Sequence, residues 1–440
     1  MRAAWPPLAL GLLLAAGAVA AAPEGASSPD DGDDPFAQFE AQDDWEDPWA
    51  AGGGGLSWTG FIEGALGARW DDVDNLDALT LGDLRLRAET RYDHDSFQLE
   101  FKGDLLWDHV VEDLDAQVRE LALSFRPGER VDVKLGRQVL TWGTGDLLFL
   151  NDLFPKDFIS FFAGRDEDYL KSPSNTARIS VFTAPVNIDL AWTPRFTPDD
   201  YLYGERFAFW NPMLGEIAAP AEPRKADEPT NGELAVRLFR TIESTEYALY
   251  GYSGRWKQPV GMRADGELIF PKLRTFGASV RTPFYKGLLN AETAWYDSRE
   301  DRSGDDPRIP NSELRLLLGY EQELVRNLTA GTQFYAERIQ HHGRLVDNSL
   351  DPEHERDQWR TVATLRLTYR ALRDTLTSSV FVFVSPSDED VYLRPSIAWR
   401  RDDHWLFSAG LNVFGGRDEH TFFGQLEDNS NGWLRLRYNY

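Results

Sequence analysis

The sequence predicts an all-β fold, a transmembrane antiparallel β-barrel of about eighteen strands (16–18). Three observations predict it. From Trp58 to Tyr440 apolar and polar residues alternate with the period of a strand, in one run after another. The runs are joined alternately by short turns and longer segments. Many apolar faces end in Trp or Tyr, as at the two edges of a lipid layer.

The elements follow in chain order. Arg2 is the only charge before an apolar run from Leu8 to Val19, and Ala18-Val19-Ala20 supplies small residues for cleavage, so residues 1–20 read as a secretory signal peptide. The run is too short to span a bilayer, which takes about twenty residues, and no comparable run follows it. Residues 21–57 carry Asp30, Asp31, Asp33, Asp34, Asp43, Asp44, Glu46 and Asp47, no basic residue, and a Gly52–Gly55 run. One-signed charge with little apolar content predicts a disordered acidic tail. Trp45 and Trp49 among those acids leave it open as a solvated tail, a docking motif for a periplasmic partner, or a plug.

The barrel is expected over 58–440. Trp58, Ile62, Leu66 and Trp70 share one face of the first strand. In the second, Leu84, Leu86, Ala88 and Tyr92 alternate with Asp83, Arg85, Arg87, Glu89 and Arg91. In the third, Phe97, Leu99, Phe101, Leu105 and Trp107 alternate with Gln98, Glu100, Lys102 and Asp104. Similar runs lie near 117–126, 130–142, 175–184, 186–194, 232–241, 245–256, 272–282, 287–298, 312–323, 327–339, 358–370, 374–385, 390–400, 404–414 and 432–440. Short turns fall at 93–96, 126–129, 184–185, 241–244, 283–286, 323–326, 371–373 and 401–403. Longer segments fall at 143–174, 195–231, 257–271, 299–311, 340–357 and 415–431; Thr421–Leu426 belongs to the last of these rather than to an extra strand. An even strand count returns both termini to the side of the short turns, the periplasm in a bacterial barrel. A soluble periplasmic β-sandwich or β-helix is the competing architecture; it leaves the aromatic ends unexplained, and no fixed repeat supports a solenoid.

Composition bounds the partners. With 72 Asp plus Glu against 46 Lys plus Arg, nucleic acid is disfavoured. The chain has no cysteine, so no disulfide framework and no lipoprotein anchor. The last residues, Gly432–Tyr440, place Leu434, Leu436, Tyr438 and Tyr440 on one face, with Arg435, Arg437 and Asn439 on the other. This ending resembles the signal by which bacterial outer-membrane barrels engage their assembly machinery, which makes that machinery, membrane lipid and lipopolysaccharide the expected partners.

The polar face carries the functional reading. Arg85, Arg87, Glu89, Arg91, Glu100, Lys102, Asp104, Asp132 and Lys134 are expected to line the lumen. They read either as a transverse field that orients solutes or as cross-strand ion pairs. The segment Lys134–Phe158 contains L-G-R-Q, then W-G-T-G-D, then Pro155-Lys156-Asp157. It resembles a pattern in porin-like outer-membrane barrels of Proteobacteria, including alginate-export-type proteins and their uncharacterised relatives. The resemblance implies an outer-membrane channel; the acidic balance argues against carrying over an alginate substrate. Gly143 and Gly145 permit a turn inward. Arg137, Gln138, Trp142, Asp146 and Asp157 form an expected loop clamp, in which Arg137 pairs with Asp146 or Asp157, or else touches substrate.

Loops 143–174 and 195–231 are accordingly expected to fold into the barrel. Their apolar sets, Leu147–Leu150, Phe158–Phe162, Tyr201, Tyr203, Phe207, Phe209, Trp210 and Met213, read as a lid, as a path for an amphipathic solute or as a stacking slide. No G-x-S-x-G or H-E-x-x-H occurs, so no enzyme is expected. His341, His342 and His354, and acids such as Asp166-Glu167-Asp168, read as solvated loops before they read as cation sites. No cofactor is expected. The function expected is a channel passing a polar or amphipathic solute. The alternative is a plugged barrel serving a periplasmic or inner-membrane transport system, with lipid-like substrates among its candidates.

Overall fold

The computed structural model describes residues 55–440, so the expected signal peptide and the acidic tail up to residue 54 lie outside the described residues. Eighteen strands make one antiparallel sheet that closes on itself. They are β1 Gly55–Arg69, β2 Leu79–His94, β3 Phe97–Asp108, β4 Asp113–Gly128, β5 Val131–Val139 and β6 Pro173–Val181. Then come β7 Asn187–Thr193, β8 Glu233–Ile242, β9 Thr245–Arg255, β10 Lys272–Phe284, β11 Gly287–Ser298 and β12 Glu313–Val325. The last are β13 Leu328–Ile339, β14 Trp359–Ala371, β15 Leu376–Ser385, β16 Asp390–Arg400, β17 Trp405–Gly416 and β18 Asn431–Asn439. β1 begins at Gly55, three residues before the expected barrel boundary. Each strand pairs with its neighbour in sequence, and β1 closes on β18 from Phe61↔Asn439 to Arg69↔Asn431. Closure leaves no sheet edge unpaired, which a wall surrounded by lipid requires.

Parity sorts the side chains. Where β1 meets β2, Glu63↔Arg85 faces inward and Ile62↔Leu86 faces outward. Leu66, Leu84, Leu105, Leu249, Leu318 and Leu434 are exposed on the outer face, the reverse of a soluble fold. Two aromatic belts bound this band. Trp58, Tyr92, Tyr247, Tyr369 and Trp399 stand near the short-turn rim, and Trp70, Trp107, Trp192, Trp295 and Trp359 near the long-loop rim. Gly55 and Asn439 both stand at the short-turn rim.

The hydrophobic core lies inside the barrel, between loops and wall. Leu150, Phe154, Phe161 and Phe162 of the 140–172 segment and Phe207 of the 194–232 segment are buried in it. They meet inward rings of the wall: Tyr296, Tyr335, Phe381, Phe383, Tyr392 and Phe414. Phe162 stands edge-on to Tyr392 at 5.8 Å and to Phe414 at 5.4 Å. The two long loops therefore fold inward. Met213, at 91% exposure, and Leu214 beside it stand out on a loop tip.

Candidate functional site

The site is the segment 140–172, threaded across the lumen and held from several sides. Its first anchor is W-G-T-G-D. Trp142 is buried edge-on to Phe154 at 5.0 Å, with Tyr250 of β9 behind it. Gly143 takes φ +93°, and a Cβ there would lie 3.1 Å from the Glu292 carboxylate. Only glycine turns here at no steric cost. The turn delivers the Thr144 backbone N–H and hydroxyl to Glu292 of β11, with the hydroxyl at 2.9 Å. Asn151 donates to the other Glu292 oxygen at 2.8 Å, and Asn290 donates to the Thr144 carbonyl at 2.6 Å. Asp146 then receives both ends of the Arg366 guanidinium from β14, at 2.6 and 3.0 Å.

A short helix, α1 (Phe158–Ala163), carries the segment across. Asp157 caps it, accepting from the Ser160 N–H at 2.7 Å and from the Ser160 hydroxyl. Gly164 ends it in the left-handed region at φ +90°. Beyond it, Arg165 donates to both oxygens of Asp83 (2.7 and 3.1 Å) and to Asp108 (2.7 Å). Arg206 of the second loop reaches the same Asp108 and the Thr80 carbonyl. One buried network thus ties both inward loops to β2 and β3.

The tip of the segment holds charge against charge. Asp166 accepts from Arg435 (2.9 Å) and Arg437 (3.0 Å) of β18. Glu167 accepts from Arg394 of β16 and lies 3.5 Å from Arg366. Tyr169 is wedged among three guanidinium groups, Arg85 at 4.1 Å, Arg119 at 4.7 Å and Arg87 at 5.0 Å from its ring. Its hydroxyl accepts from Arg87 at 2.7 Å.

The expected lumen residues divide. Arg85, Arg87 and Asp104 point inward but are buried under the loop tip; Arg85 keeps 2% of its side-chain surface, and Asp104 none. Asp104 receives Arg85 at 2.7 Å and Arg87 at 2.6 Å. Lys102 and Lys134 keep open surface and pair with Glu120 (3.0 Å) and Glu100 (2.7 Å). Arg91 pairs with Asp93, Glu89 with Arg87, and Asp132 with Arg126. On these strands the charges are local ion pairs. The acids that oppose arginines across the interior are on the loop, at Asp146, Asp166 and Glu167.

The expected clamp needs one correction. Arg137 pairs with neither Asp146 nor Asp157; its guanidinium donates to the Val118 carbonyl on the neighbouring strand. Parity is the reason. Gln138 faces inward and donates to the Thr176 carbonyl at 2.9 Å, so Arg137 beside it faces out, opposite outward Leu121. Sequence reasoning missed Arg165, Tyr169, Glu292 and Arg366. A signal existed for the last: the inward arginines Arg366, Arg394, Arg435 and Arg437 recur on β14, β16 and β18 with few acids on the same strands. Apart from Arg437, which also pairs with Glu63 of β1, they are met by acids of the inward loop.

The two inward loops are also joined directly. Asp200 donates its N–H to the Lys156 carbonyl (2.8 Å), and its carbonyl accepts from the Phe158 N–H (3.0 Å). Burial pushes the Asp199 carboxyl up to about 6 despite nearby Lys156. Burial, with Asp157 alongside, pushes Asp200 up to about 7. Among the described residues no three His, Asp or Glu side chains converge as a metal site would need. His354 instead pairs with Asp351 at 2.9 Å.

No family model matches this chain, and no curated protein matches it. Solved structures do. OccK11 (OpdR) of Pseudomonas aeruginosa matches with a TM-score of 0.52 and 11% identity, over 88% of this chain and 95% of that one. OccAB3 of Acinetobacter baumannii matches with a TM-score of 0.52 and 9% identity, over 88% and 99%. OccK5 (OpdH) of P. aeruginosa gives 0.51 and 11%, over 88% and 97%. The likeness is one of fold.

Proposed function

We propose that this chain is a channel of a bacterial outer membrane that passes a polar or amphipathic solute through a lumen narrowed by the 140–172 segment. One observation carries the reading. Inside a lipid-facing closed wall, a loop presents Asp146, Asp166 and Glu167 to Arg366, Arg394, Arg435 and Arg437. A solute crossing there meets fixed charges of both signs at close range, which orients dipoles and filters ions. Glu167 keeps 44% of its side-chain surface open, so this edge of the loop is available to solute. The likeness of fold to the Occ proteins is consistent with a channel and leaves the solute open. On this reading the short-turn rim faces the periplasm, the belts meet lipid and lipopolysaccharide, and the last strand engages the assembly machinery.

The test is single-channel recording from the purified mature protein in a planar bilayer. Stable current steps with defined ion selectivity are expected. Deleting 147–170 should enlarge the steps. Silence in the full protein with steps after the deletion would show a plugged barrel, and silence in both would overturn the channel reading in favour of a lipid path or a partner-docking barrel.

A further inference from the structure

The long-loop rim contains a feature that the constriction does not use. Four loops leave a cavity of about 460 Å³ between them, directly above α1. That volume lies in the range of small-molecule sites, roughly 300–1,000 Å³. Its walls are rings and aliphatic chains drawn from distant parts of the sequence, among them Phe158, Tyr203, Val260, Leu268 and Phe422. These residues did not collapse onto one another. On one side the wall is backed by a packed cluster, Phe196, Tyr201 and Phe270, with Tyr203 against it, so Tyr201 and Tyr203 are held in place while the opposite wall stays open. Val260, Leu268 and Phe422 are left 44–47% exposed at the cavity.

The polar groups at the cavity indicate the class of ligand. Arg224 and Glu222 are both strongly exposed and pair with each other at 2.8 Å. Lys225 lies over the ring of Tyr203 at 4.8 Å. The amides of Gln258 and Gln425 are in the wall. The one charged pair of the lining is mutually neutralised, and the Lys225 charge acts on the Asp200 carboxyl behind Tyr203, so no unopposed charge faces the space, while hydrogen bonding and flat apolar contact are both on offer.

We propose that this cavity is an outer binding site for a small amphipathic solute of no net charge, with a flat apolar body and an amide- or hydroxyl-like head. As a statement about what the channel carries, this rests on the channel reading above. Phe162 lines the cavity with one part of its ring and meets Tyr392 and Phe414 inside the barrel with another. A seated solute therefore touches the helix that crosses the lumen. Binding there concentrates the solute at the entrance to the constriction and interrupts the ion current while it lasts.

The test uses two neutral probes with the same head, N-acetyltryptophanamide and N-acetylglycinamide, on the full barrel. Calorimetry on protein in lipid nanodiscs reads binding, and current interruptions in a planar bilayer read the same event at the pore. Saturable binding and interruptions are expected for the first probe alone. Two variants remove the site by opposite means: Phe422→Ala strips a wall, and Val260→Trp fills the space. Both positions are exposed, so neither substitution threatens folding, and each should weaken binding at least ten-fold. Met213→Ser, on a loop tip outside the cavity, should leave binding as it is. Equal binding of the two probes, or wild-type affinity in both cavity variants, would overturn the site. Binding in nanodiscs without any current in bilayers would uphold the site and overturn the channel.

Discussion

Single residues hold the crossing segment in place, and two of them can be weighed against each other. Among the described residues Arg165 alone pairs with both Asp83 and Asp108, with both carboxylates largely buried. Removing one partner of a buried ion pair costs about 3–5 kcal/mol, because the charges left behind stay desolvated. Arg165→Ala should lie at the low end of that range, since Arg85 and Arg206 remain near the same acids. Urea unfolding of the barrel in lipid vesicles checks the shift in midpoint. Tyr169 separates ring from hydroxyl. Tyr169→Phe forfeits one hydrogen bond, about 1 kcal/mol. Tyr169→Ala also takes the ring out of its arginine cage and leaves three guanidinium groups facing a void, for a loss of about 3–5 kcal/mol. Equal losses in the two variants would mean that the cage contributes nothing.

At the scale of elements, the W-G-T-G-D turn is the hinge of the arrangement. Gly143→Ala puts a side chain into a left-handed residue beside the Glu292 carboxylate, a strain of about 1–3 kcal/mol that loosens the grip on β11. Gly145→Ala is harsher: its Cβ would lie 2.2 Å from the Leu148 carbonyl, and backbone cannot swing aside. Both variants should show noisier open-channel current than the parent, Gly145→Ala more so. A quiet trace from Gly145→Ala would remove the turn from any role in holding the loop.

Strands and turns were legible in the sequence because period-two alternation is local and each apolar face had to meet lipid. The expected turns fall at the observed ones within a few residues, and residues 421–426 stayed out of the sheet. The apolar content of both long loops was legible too. What contacts them was not. Glu292, Arg366, Arg394 and Arg435 lie more than a hundred residues from the loop groups they bind, and no local pattern encodes which wall position stands opposite which loop residue. Arg137 fell on the wrong side for a simpler reason: beside inward Gln138, its own parity sends it outward.

For the whole molecule, the wall is a closed sheet, and the inward loops are tied to each other by backbone hydrogen bonds between Asp200 and Lys156 and between Phe158 and Asp200. Asp200 sits where they join, and the groups around it include Asp157, Ser172, Asp199, Lys156 and Lys225, with the Arg137 charge also in electrostatic reach. Free in water these aspartates would titrate near about 3.9. In the docked loops Asp199 is raised to about 6 and Asp200 to about 7. A raised carboxyl pKa means that the docked state holds protons which the undocked state releases. Docking is therefore fully favoured at acid pH and loses that support as pH rises from about 4 through 7. Asp146 is shifted the same way by burial, although Arg366 opposes it. The barrel should thus spend longer in its low-conductance state at pH 5 than at pH 8, with the change centred between 6 and 7. Asp200→Asn keeps a hydrogen-bonding group beside Asp157 and Ser172 but cannot ionise, so it should remove the part of this dependence near pH 7 and leave the part near 6 that belongs to Asp199. Recordings of parent and variant at matched ionic strength decide the matter. An unchanged pH profile in the variant would place the titrating group elsewhere, and a pore that closes on the alkaline side would reverse the sign on which the argument stands.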